Sequence, residues 1–87
     1  MDVPSLLESI AKLLSQHNQD EWAASFWRFR DGYRADPTET KGSIRHLFYG
    51  GMGSFNDLVL HDGGVPLRSE NDELDRLRAA LFQACNK

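Results

Sequence analysis

The chain carries a single cysteine, Cys85, among its 87 residues. No disulfide can therefore form within it, and a lone thiol fits a reducing compartment. No apolar stretch approaches the roughly 20 residues that a membrane-spanning helix needs. The first residues also lack the basic start and long apolar segment of a secretory leader. These absences lead to the expectation of a cytoplasmic protein with no membrane partner. Cations are in the minority, 10 Lys and Arg against 13 Asp and Glu, for a formal net charge of −3. Proteins that grip a phosphate backbone usually show a basic stripe. The nearest approach to one, Arg28, Arg30 and Arg34, is interrupted by Glu21, Asp31 and Asp36, so no nucleic-acid partner is expected.

Catalytic and metal-binding spacings are missing as well. There is no H-E-x-x-H, no C-x-x-C and no D-x-D-x-D-G loop. His17, His46 and His61 stand far apart, and structural zinc usually wants four ligands, often with paired cysteines. Asp57, His61 and Asp62 can be drawn as an acid–base group, but turn chemistry accounts for Asp62 better. The expectation is a protein that is not an enzyme and has no metal site and no cofactor.

What the chain does have is an ordinary globular composition, 40% hydrophobic and 26% charged. Its length is room for one domain, residues 1–87. A chain this short buries only about 60% of the surface it exposes when unfolded, so its five Phe and two Trp matter to the core.

Periodicity predicts four helices. The first, Val3 to Gln16, has Asp2 as cap, Pro4 in its first turn, and Leu6, Leu7, Ile10, Leu13 and Leu14 on one face. In the second, Asp20 to Tyr33, the stripe is Trp22, Phe26, Phe29 and Tyr33, with Trp27 on a shoulder. The third opens at Asp36-Pro37-Thr38-Glu39, where a capping Asp is followed by Pro and then by Glu three residues after the cap. It runs to Tyr49 and stops at Gly50-Gly51. The fourth, from about Asn71 to Cys85, has Leu74, Leu77, Leu81 and Ala84 as its apolar stripe and Asp72–Arg76 as an exposed pair. Between the last two helices, His61-Asp62-Gly63-Gly64 reads as a turn joining Leu58-Val59-Leu60 to Val65-Pro66-Leu67. The expected class is mainly α, a small α+β fold: four helices around one core, with a short hairpin or extended segment between helices three and four.

The segment Gly50 to Asp57 places three glycines in four residues. It lacks the G-K-[ST] ending of a phosphate-binding P-loop and follows a helix instead of a strand. Two readings stand side by side. In one it is a rigid recognition loop displaying Met52, Ser54, Phe55, Asn56 and Asp57. In the other it is a structural turn whose Met52 and Phe55 plug the core. Trp27, with Arg28 and Arg30 beside it, is a second candidate for partner binding, because Trp and Arg dominate interface energy.

At Tyr49-Gly50-Gly51-Met52-Gly53-Ser54-Phe55-Asn56-Asp57-Leu58 the sequence resembles a family of small bacterial proteins that share a Y-G-G-M-G-S-[FL]-N-D-L motif. In these, a Trp-Ala pair, here Trp22-Ala23, sits on an upstream helix and a leucine-rich helix follows. The likeness extends from about Leu6 to Phe82. By analogy with small acidic immunity proteins encoded beside toxins, it implies a protein that binds and blocks a partner such as a toxin or effector, or an adaptor, as a monomer or homodimer. The acidic balance would steer such a protein onto a basic partner. The competing expectation is a small-ligand or nucleotide-binding domain that uses Gly50–Asp57.

Overall fold

Asp2 accepts the backbone N–H of Ser5 at 2.9 Å and starts the first helix, α1 (Val3–Gln16). The computed structural model describes residues 2–48, 55 and 58–86. Helix α1 ends where Asn18 takes a left-handed φ of 65°, one of the few non-glycine residues that tolerate it. The Gln19 N–H then reaches back to the Leu14 carbonyl at 2.9 Å, the bond of a Schellman cap. Helix α2 (Asp20–Ala35) extends two residues beyond the predicted Tyr33. A single residue, Asp36, then separates it from α3 (Pro37–His46). Asp36 serves both ends: its N–H closes α2 on the Gly32 carbonyl at 2.8 Å, and its carboxylate accepts the Glu39 N–H at 3.1 Å to open α3. A Cβ at Gly32 would lie 3.1 Å from the Thr40 Oγ1, so this junction is tight.

Helix α3 is regular to His46 and widens into a π-type turn at Leu47 and Phe48. Its predicted last residue, Tyr49, and its glycine stop lie outside the described residues. The hairpin pairs β1 (His61–Asp62) antiparallel with β2 (Val65–Pro66), His61 opposite Pro66 and Asp62 opposite Val65. Gly63 and Gly64 hold φ of 57° and 84°, the positive values that a type I′ turn needs at both central residues. The Leu67 N–H bonds the Leu60 carbonyl at 2.9 Å. Pairs along an antiparallel ladder alternate between bonded and non-bonded, so Pro66 sits where the ladder asks for no donor.

Helix α4 (Arg68–Cys85) begins three residues earlier than predicted, after Leu67, which offers no side-chain cap. Its buried stripe is Leu74, Leu77, Leu81 and Cys85, with Ala84 only half-buried. The predicted Asp72–Arg76 pair is replaced by Arg76 with Glu73 at 3.1 Å. Among the described residues the molecule is thus mainly α, four helices and one short hairpin. The helices share one core in which Leu7, Ile10 and Leu14 of α1, Phe26 of α2, Ile44 of α3, and Leu74 and Leu81 of α4 are fully enclosed. Leu13, predicted on the apolar face of α1, is half-buried, while Val3 and Ala11 join the core.

Candidate functional site

Of the residues picked out for partner binding, Met52, Ser54, Asn56 and Asp57 lie outside the described residues. Phe55 is fully enclosed, which corrects its place in a displayed recognition surface. Its ring meets Phe26 at a centroid distance of 4.9 Å, Trp22 at 5.2 Å and Phe48 at 5.8 Å. The reason is economy: a core this small gains more from enclosing a ring of that area than from leaving it wet. Of the two readings, core plug is the one the geometry bears out for Phe55.

Two side chains of α4 fix that plug and the chain that follows it, and neither was picked out from the sequence. Arg78 donates to the carbonyls of Phe55 at 2.6 Å and Leu58 at 3.2 Å. Its guanidinium also lies 5.5 Å from the Phe55 ring centroid and is paired with Asp75. Asn71 treats Leu60 as a strand neighbour would, accepting its N–H at 2.7 Å and donating to its carbonyl at 3.0 Å. The available signal was positional: Arg78 lies four residues after Leu74 and one after Leu77, on the shoulder of the apolar stripe, where a charged head finds backbone to bind.

Trp27 and Arg28 are brought together on the outer side of α2. Trp27 is half-buried against the core and Arg28 is exposed. One turn on, the Arg30 guanidinium lies 4.7 Å from the Trp27 ring centroid, a cation–π arrangement. Arg30 is held there by Glu8 of α1 at 3.0 Å and by Asp31 at 3.1 Å. Those two bonds, Glu8 first, hold its guanidinium above the ordinary arginine range. Among the described residues Arg28 reaches only the Ser25 hydroxyl, at 3.2 Å. The patch is therefore an indole with one ordered cation stacked on it and a second cation beside it without a carboxylate among the described residues.

Elsewhere, a groove of about 480 Å³ runs between α1 and α4 over Leu6, Leu77, Ala80 and Ala84. None of its lining residues belongs to α2. His61 and Asp62 are exposed on the hairpin, and no group of three or more His, Cys, Asp or Glu is placed to hold a metal among the described residues. Among them, too, no helix is long and apolar enough to cross a membrane.

A family model described as a domain of unknown function (DUF6966) matches residues 15–68, a stretch that takes in α2, α3 and the hairpin. No curated protein and no solved structure matches the chain.

Proposed function

We propose that this chain, which belongs to the DUF6966 family, is a small cytoplasmic binding protein of the immunity or adaptor type, occupying the surface of a partner protein such as a bacterial toxin. The observation that carries this reading is the Trp27–Arg30 stack with Arg28 beside it. Interface energy concentrates in a few Trp, Tyr and Arg anchors. Side chains already held in place lose less freedom on binding, and here Glu8 and Asp31 fix the guanidinium before any partner arrives. Binding without chemistry needs no more than such a surface.

The test is affinity capture from the source cell, followed by titration of the purified partner. Arg28→Glu combined with Trp27→Ala is expected to weaken binding by about a hundredfold, the loss of two anchors, with the helical circular dichroism spectrum retained. If wild-type protein captures nothing above background, the reading fails. If the folded double variant binds as tightly as wild type, the surface is elsewhere.

A further inference from the structure

Along the chain from Leu58 to Asp62, alternate residues are tied down on one side. The Leu58 carbonyl accepts from Arg78 at 3.2 Å. Leu60 is bonded through both backbone groups, to the Asn71 amide and to the Leu67 N–H. Asp62 is the strand partner of Val65. Val59 and His61 fall between these residues, and strand geometry turns their N–H and C=O groups the other way. His61 stands opposite Pro66 at a non-bonded step of the ladder, so neither of its backbone groups faces β2. No hydrogen bond reaches Val59 or His61 among the described residues. Both side chains are on the wet side of the hairpin: His61 is exposed, and so is Val59, at 43%. An open edge of this kind invites another strand, and proteins usually blunt it with Pro or Lys. Pro66 takes the donor away from the β2 edge, while Val59 and His61 leave the β1 edge without either device.

We propose that the β1 edge seats a second copy of this chain, two hairpins joining edge to edge through Val59 and His61 into a four-stranded antiparallel sheet. The edge is its own complement. A two-fold axis through Leu60 sets Val59 opposite the second copy's His61, and His61 opposite its Val59. Each free N–H then meets a free C=O, and every contact is made twice, as an isologous seam requires. The exposed Val59 side chain is covered by the imidazole across the seam. Charge permits this register. Residues 58–61 contain no Asp, Glu, Lys or Arg, and Asp62 of each copy falls opposite the other's Leu58, so the two carboxylates do not meet. The seam is short, which places it among weak associations, with a dissociation constant of about 0.1–1 mM. It stands apart from the Trp27 reading, since none of its residues belongs to α2.

The experiment is a concentration series of the full-length protein, followed by sedimentation and by NMR, with hydrogen exchange of the His61 N–H as the local reporter. The expected result is a dimer that forms as concentration rises, with exchange at His61 slowed in it. Two variants test the seam. His61→Pro removes the outward donor where the ladder needs none, as Pro66 already does opposite it. Val59→Lys puts a charge on the edge and breaks no hydrogen bond of the fold. Each is expected to weaken dimerisation at least about tenfold, since every lost contact counts twice, with the melting temperature retained. Should His61→Pro lower that temperature, Val59→Lys decides alone. Protein that stays monomeric at millimolar concentration overturns the proposal. A dimer that forms equally well with folded Val59→Lys, or one in which His61 exchanges as fast as in the monomer, does the same and moves the seam to another face. None of these outcomes touches partner capture through Trp27.

Discussion

Phe55 shows how one side chain can be assigned two roles from sequence and only one from structure. It sits within a run of glycine and polar residues, which reads as a displayed loop, yet three aromatic rings and the Arg78 head surround it. Phe55→Ala is expected to lower stability by about 3–5 kcal/mol, the usual cost of removing a buried ring. A domain of this size holds only about 5–15 kcal/mol in all, so the variant should approach unfolding at room temperature. A urea titration followed by tryptophan fluorescence measures the shift, and an unchanged midpoint would mean that the ring is not enclosed in solution. Arg78 belongs to the same site by a different chemistry, because charged donors to two backbone carbonyls bind more strongly than neutral ones.

The elements differ in how openly the sequence announces them. Helix α1 is found with both its ends where capping and periodicity put them, since Asp2, Pro4 and an unbroken leucine stripe all agree. The start of α3 is equally plain, because Asp36-Pro37 leaves the chain one way to go. Helix α4 was harder. Leu67 gives no capping signal, and Asn71, read as the opening of the helix, uses its amide on Leu60 from inside it. That contact joins residues 11 apart, and no local propensity encodes it. Part of the Trp27 patch was legible: Trp27 stood off the stripe, with Arg28 and Arg30 close to it in sequence. The Glu8 bond that orders Arg30 spans 22 residues and had no local trace. The hairpin was legible through its glycines, and they can be tested separately. Gly63→Asn should leave the melting temperature unchanged or slightly raised, because Asn-Gly is the favoured type I′ pair. Gly64→Val should cost about 1–2 kcal/mol, the penalty of a left-handed φ for a β-branched residue. No atom would crowd the added Cβ at either position, so a thermal melt reports the backbone term alone.

Across the whole molecule, Cys85 is the natural reporter of opening. It is fully enclosed, its carbonyl is held by the Arg45 guanidinium at 2.6 Å from the neighbouring helix, and burial raises its thiol above the ordinary range despite Lys41 and Arg45 nearby. The neutral thiol is the form that the fold favours. This contribution is fully present below the unfolded-state pKa and is lost as pH rises through the folded one, so it weakens the protein only on the alkaline side. Iodoacetamide at pH 8 should therefore modify native protein at a small fraction of the rate seen in urea, since only the exposed thiolate reacts. Equal rates in the two conditions would contradict the burial.

The closure of α1 against α4 reaches into how the protein is made. On a ribosome, α1 emerges first and can lay its leucine stripe on α2 as soon as that helix follows. The side of the stripe that belongs to Leu74, Leu77 and Leu81 must wait until α4 has followed. Until then an unsatisfied oily strip stays open to passing chains, and that interval is when the growing chain is most prone to aggregate.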